Sequence, residues 1–389
     1  MTAMNASLSN TREAPVRARA LAPATWSALL LSALLLLPLQ ALQLGIVQPV
    51  QLWAVAALAL LVERGHIRAS VVEALIYALF MAFALVATFF AGYPHFKTAE
   101  QLMKFGFLYP AFFLVGRSLG VHFRQTPLPY GYALLWLLLG VQFTLQYFEV
   151  PHLFRKVDFM QDALYGSFKE RNWLAIYFFL ASYVVFLRSP RAARDVFYFA
   201  ALGVAVALLS QSKTILVPVA MAILLHVPGR LGLKALAVAA GTALYVWRFG
   251  KELTGQMLEV RLQDERGLAF VHSVALLSDN WLGYGFGFVE AHFANLWFAI
   301  KGLGLGTNSV FSSPLDLMLI AGFPGLIFWG VFFAGLGLRS FALLVPVAAW
   351  SLLNPLHQSE IVYLFTGWLV AWGLHEGWRH KPTAGEARK

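Results

Sequence analysis

Most of the side chains in this sequence that could carry chemistry are cationic. Arg171 lies in Gly166-Ser167-Phe168-Lys169-Glu170-Arg171-Asn172, where an apolar run begins. A helix start presents free N–H groups, and with a guanidinium beside them it can receive a phosphate. The competing role for Arg171 is an interfacial anchor paired with Glu170. Lys213, in Ser210-Gln211-Ser212-Lys213-Thr214, falls between two apolar runs. An ionisable group in such a place is costly and marks a functional site by default, against the alternative of a lysine snorkelling to an interface. Arg248, Arg261 and Arg266 share one polar interval, 248–314. Asp264 and Glu265 beside Arg266 would suit a solvated helix face. What raises Arg266 is its sequel, an apolar helical run over 267–277 followed by Asp279-Asn280-Trp281-Leu282-Gly283-Tyr284-Gly285. Glycine lets a backbone approach a ligand closely, so Gly283 and Gly285 join the substrate-binding candidates. No strand precedes them, which removes a dinucleotide fingerprint. Trp281 and Tyr284, with Phe286 and Trp297, could stack on a ligand or form an interfacial aromatic belt.

Proton transfer needs a base, and Glu290 with His292 is a candidate pair directly after the glycine run. His357 is another, three residues before Glu360 and on its face if the segment is helical. His272 falls on an apolar helix and reads as a packed residue. There is no His-x-Glu-x-x-His arrangement or carboxylate cluster, so no metal and no other cofactor is expected. The absence of cysteine excludes disulfides and thiolate ligands.

The elements that must position these residues follow from composition. Of 389 residues 59% are hydrophobic and only 12% charged, and the mean hydropathy is +0.68. Soluble domains carry about 25% charged residues, so the chain reads as an all-α, polytopic membrane bundle. No linker divides it, so 1–389 forms a single domain. A helix needs ~20 apolar residues to cross hydrocarbon. On that rule the spans are 25–45, 47–63, 70–91, 100–117, 128–149, 172–188, 195–210, 212–227, 233–248, 315–337, 340–354 and 359–376, about twelve in all. The first follows Arg12, Arg17 and Arg19 without a small-residue cleavage site and reads as an uncleaved helix. With the N-terminus inside, every predicted inner connection is basic: Arg64 and Arg68; Arg117 and Arg124; Arg188, Arg191 and Arg194; Arg230 and Lys234; Arg339; and the tail. That is the positive-inside pattern. It explains the +10 formal charge without nucleic acid and puts both termini in the cytoplasm. The interval 248–314 becomes a long outer loop between the ninth and tenth helices. The apolar runs lack a series of ionisable residues, which argues against a proton-coupled or ion-coupled transporter.

The order of these motifs resembles the bacterial O-antigen ligase and Wzy-type polysaccharide polymerase superfamily. The resemblance covers roughly 165–335 and rests on Gly166-Ser167-Phe168 with Asn172, on Ser210–Thr214, on Arg266 upstream of Asp279–Gly285, and on Leu315-Asp316 with Ala321-Gly322-Phe323-Pro324-Gly325. It implies a metal-independent, inverting glycosyltransferase at the periplasmic face of the inner membrane. The donor would be a glycan on a polyprenyl diphosphate, and a chain-length regulator or export complex the partner. Lys213 takes the position of the family's basic residue after the Ser-x-Ser turn, and Arg266 that of the arginine upstream of the Gly-x-Gly. Ligases carry a His-Asn pair before the helix that ends in the Gly-x-x-Gly turn. The corresponding Thr307–Pro314 has no histidine. The expectation is therefore a polymerase of lipid-linked repeat units, with the alternatives of a ligase that has moved its histidine to His292 or His357, and of a glycan or lipid flippase. In the expected reaction Lys213 and Arg266 bind the diphosphate, assisted by Arg171 or Arg248, and Glu290, His292 or His357 takes the acceptor proton.

Overall fold

A computed structural model describes residues 21–43, 47–67, 69–91, 96–124, 128, 130–156, 162–190, 192–227, 229, 265–295, 310–336 and 340–373. Every helix and turn of regular geometry among them is helical in kind: α1 (Pro23–Leu36), α2 (Pro49–Glu63), α3 (Val71–Ala91), α4 (Phe96–Met103), α5 (Tyr109–His122), α6 (Gly131–Tyr147), α7 (Arg171–Arg188), α8 (Ala193–Leu209), α9 (Leu216–His226), α10 (Glu265–Asp279), α11 (Phe288–Asn295), α12 (Ser313–Ala321), α13 (Phe323–Phe332), α14 (Phe341–Ser351) and α15 (Glu360–Gly373). A π-helical turn, Lys104–Leu108, joins α4 to α5, and 3-10 turns occupy Lys213–Ile215 and Leu356–Gln358. The all-α expectation holds. The predicted ninth span, Arg248, Arg261 and Trp297 lie outside the described residues.

Proline opens α1 and α2 and is the second residue of α12, where its missing N–H is no loss. Among the described residues one helix is long and apolar enough to cross a membrane by itself, Val71–Phe90 with mean hydropathy 2.2. Other apolar runs are helical over 10–17 residues. Breaks in the chain account for part of this. The predicted run 315–337 is two helices, α12 and α13, because Gly322 turns at φ 63° between them. Pro346 sits inside α14 and removes one helical hydrogen bond there.

At the centre α5 and α15 touch backbone to backbone. A Cβ on Gly120 would lie 2.7 Å from the Trp368 carbonyl oxygen, and one on Gly116 or Gly367 would overlap the backbone of Leu364 or Phe113. Small residues one turn apart permit this approach, as they do between helices in lipid. Residues Glu360–Gly373 of α15 and Leu174–Leu187 of α7 are buried on all sides, as a helix apolar around its whole circumference should be.

Polar contacts collect at the two ends of this core. One end holds the buried Arg117–Glu73 pair between α5 and α3, the Ser118 hydroxyl donating to the His66 carbonyl at 3.2 Å, and the Trp372 indole donating to Gly120 O at 2.8 Å. The other end gathers the starts of α2, α7, α12 and α15 and the ends of α3, α6, α8 and α14.

Candidate functional site

The second end is where the sequence motifs meet. Gly166-Ser167-Phe168 is fixed by the Ser167 hydroxyl, which donates to Pro38 O at 2.8 Å, and by the Gln142 side chain, which accepts the Ser167 N–H at 2.8 Å. The segment leads into α7, so that Arg171 and Asn172 form its first turn, half-buried. Forty residues later the Ser212 hydroxyl donates to Asn172 Oδ1 at 3.0 Å. Gln211, at φ 55°, makes the tight turn that lets Ser212 reach back while half-buried Lys213 starts a 3-10 turn. Thr214 Oγ1 then accepts from Trp350 Nε1 at 3.1 Å and from Asn354 Nδ2 at 3.4 Å. The Ser313 hydroxyl donates to Asn354 O at 2.9 Å and accepts the His357 N–H at 3.4 Å. His357 Nε2 lies 3.3 Å from Asp316 Oδ2, and that oxygen accepts a hydrogen bond from Gln358 Nε2 at 3.2 Å. A continuous polar path thus runs from Asn172 past Lys213 to a buried histidine–carboxylate pair.

A second carboxyl faces that pair. Glu290, on α11, accepts a hydrogen bond from the Gln101 side chain of α4, and Gln101 Oε1 accepts the Gly287 N–H at 2.7 Å. Burial pushes the Glu290 carboxyl up to about 8, and the Asp316 carboxylate adds to the shift. Glu290 Oε2, Asp316 Oδ1, both ring nitrogens of His357 and Ser359 Oγ are all buried and have no hydrogen-bond partner among the described residues. Buried polar atoms are nearly always satisfied, so five orphans in one neighbourhood mark a place where another polar molecule belongs.

The cations nearest this neighbourhood were not singled out by the sequence reading. Lys97 on α4 and Lys104 at the start of the π-helical turn both pair with Glu100, Lys104 at 2.6 Å. Lys169 joins them: its ammonium is lowered first by burial and then by Lys104. Across from them Glu360 Oε1 accepts from Gln51 Nε2 at 3.1 Å. The spacing Lys97-x-x-Glu100-x-x-x-Lys104 is a helical one and was the available signal, as was Asp316 within an apolar run. Both were obscured by counting 100–117 and 315–337 as plain spans.

Several expectations are corrected here. Glu290 and His292 do not act as a pair. Two residues apart on a helix they face different ways. His292 Nε2 lies 2.8 Å from His272 Nε2, with its ring stacked on Phe288 at 4.9 Å. His272 is therefore half of a histidine pair and not a plain core residue. His357 and Glu360 are not on one helix, because Ser359 is extended between the 3-10 turn and α15, and each finds a different partner. Gly283 and Gly285 face protein where a ligand was expected. At φ 87° each, they lay the loop against the break between α12 and α13 and against Thr88. Tyr284 N–H and Gly285 N–H donate to Leu319 O at 2.6 Å and Ile320 O at 2.9 Å. Tyr284 stacks on Phe288 at 4.1 Å and donates its hydroxyl to Leu276 O, so that face is unavailable to a sugar. Trp281 remains 68% exposed. The backbone of Arg266 opens α10.

No family model and no curated protein matches this chain. The functional reading therefore stands on the site itself.

Proposed function

We propose that this chain is a polytopic inner-membrane glycosyltransferase that joins polyprenyl-diphosphate-linked oligosaccharide repeat units at the end where these motifs meet. The observation that carries the reading is the polar path from Asn172 and Ser212, past Lys213, to the His357–Asp316 pair. It links three separate stretches of a family-like motif order at one end of an apolar bundle. Two further features support it. Described helices coincide with eleven of the predicted spans, and that end is the outer one in the topology set by the basic loops. Both termini are then cytoplasmic and the reaction is periplasmic.

In this reading the acceptor hydroxyl oxygen attacks the anomeric carbon of the donor sugar. The C1–O bond to the diphosphate breaks, and its electron pair leaves with the diphosphate. Lys213 and Arg266, joined by Lys97, Lys104 and Lys169, hold the charge that develops on the leaving group in a partly dry site. No metal is needed for that role. The proton goes to a base, and the environments of the two candidates separate them. Glu290, pushed up to about 8, is largely protonated at neutral pH and serves as a hydrogen-bond donor. His357 is the better base: the Asp316 carboxylate lies 3.3 Å from its Nε2, close enough to stabilise the imidazolium once Nδ1 has taken the proton. Both residues are fully buried, so the acceptor reaches Nδ1 only after the covering side chains shift.

The test is a strain lacking this chain, with its lipid-linked glycans sized by mass spectrometry. Accumulated single repeat units are expected. Long chains left on the carrier would instead indicate the ligase reaction, and an unchanged profile would refute glycosyl transfer.

A further inference from the structure

The end of the bundle remote from this site contains a cavity of about 450 Å³, lined chiefly by Trp26, His66, Arg117, Ser118 and His122. Arg117 is its most informative wall. The residue is 7% exposed and donates through Nη1 to Glu73, itself 4% exposed. That is the one hydrogen bond its side chain makes among the described residues. A guanidinium offers five N–H donors in a fixed fork, so most of its donor capacity is unused although the group is nine-tenths buried. The remaining N–H groups belong to a residue that lines the cavity, where an acceptor can reach them.

The other walls agree on what that occupant is. The His122 ring lies parallel to Trp26, 4.4 Å away and tilted by 10°, and His66 meets the same indole edge-on at 5.2 Å. No hydrogen bond from the His122 ring occurs among the described residues, so an imidazole N–H is available. Ser118 is committed to the carbonyls of His66 and Leu114. The nearest carboxylate, Glu73, is already paired with Arg117. A cation would meet Arg117, and a neutral sugar would accept from the fork without the charge-assisted strength that an oxyanion gains. An oxyanion accepts from the fork bidentately, and His122 lines the same cavity. The volume exceeds what one inorganic ion requires and suits a headgroup entering with its glycerol.

We propose that this cavity binds a phosphate group, presented by an anionic lipid headgroup or as free phosphate, with Arg117 as the principal contact and His122 beside it. The proposal does not depend on glycosyl transfer at the other end.

The experiment uses the full chain in neutral detergent and in phosphatidylcholine nanodiscs. Inorganic phosphate is titrated and followed by phosphorus NMR line broadening. Phosphatidylglycerol is added in a separate arm and counted as adducts by native mass spectrometry. Binding in the lipid arm alone identifies a headgroup site, and binding in both arms a site for phosphate itself. Arg117→Lys keeps a cation opposite Glu73 but removes the fork, and should weaken binding roughly tenfold. His122→Ala should weaken it roughly threefold. Thermal unfolding checks that both variants fold, and if Arg117→Lys does not, His122→Ala decides. The absence of binding in both arms overturns the proposal, as does unchanged affinity in the folded variants.

Discussion

Glu290→Gln should change how the stability of this chain depends on pH. The glutamate is 7% exposed, lies outside the predicted spans, and has its carboxyl pushed from 4.5 up to about 8. Its folded value is the higher one. Between these two values the folded chain therefore keeps a proton that the unfolded chain releases, and stability falls as pH rises through the window. At ~1.4 kcal/mol per pH unit the full loss is on the order of 5 kcal/mol, nearly complete above about pH 8 and absent below about pH 4.5. Glutamine keeps the carbonyl oxygen that Gln101 donates to and cannot ionise. Unfolding of both proteins is followed by tryptophan fluorescence in mixed micelles between pH 5 and pH 8. The advantage of Glu290→Gln over the native chain should grow by roughly 4 kcal/mol across that range. Infrared difference spectra supply an independent view, since a protonated carboxyl absorption present at pH 7 should vanish in the variant. Parallel pH curves with an unchanged spectrum would refute the argument that burial and Asp316 hold the proton on Glu290.

Lys213→Ala and Arg266→Ala should each abolish polymer formation while membrane insertion stays intact, read by glycan gels beside membrane fractionation; normal chain length in either removes that residue from the site. Asp316→Asn leaves His357 without its charged partner and should lower transfer by about 10²–10⁴-fold, the range for general base catalysis, measured as rate on a purified lipid-linked repeat unit. Ser212→Ala and Asn172→Ala should be non-additive, with a coupling of about 0.5–1.5 kcal/mol in a double-mutant stability cycle. Gly116→Ala drives a methyl group into the Leu364 backbone and should lower the unfolding midpoint by an amount equivalent to about 1–3 kcal/mol or more, without changing span topology in reporter fusions.

Helix content was legible in the sequence because long apolar runs leave few alternatives, and the positions of α2, α3, α7 and α8 follow the hydropathy closely. The motif meeting at Asn172, Ser212 and Lys213 was legible as an order of motifs, although its hydrogen bond could not be read from residues forty apart. The Glu290–Gln101 contact and the Asp316–His357 pair were not legible. The first joins segments 189 residues apart and the second joins two different helical segments, and no local spacing encodes either. The glycine run misled for a physical reason. Sequence shows that a backbone can come close to something, and here that something is the helix break at Gly322.

That break has an evolutionary consequence. The positions for a Cβ on Gly283 and on Gly322 are each occupied by the other turn's backbone, and the carbonyls of Leu319 and Ile320 are taken up by Tyr284 and Gly285. A side chain gained at either turn would displace its neighbour, and no single substitution at the opposite glycine restores the fit. The two turns should therefore be inherited together. Among descendants of this sequence, drift at 281–285 should arrive with compensating drift at 319–323, so that this pair of segments changes as one unit while the exposed Trp281 side chain varies freely.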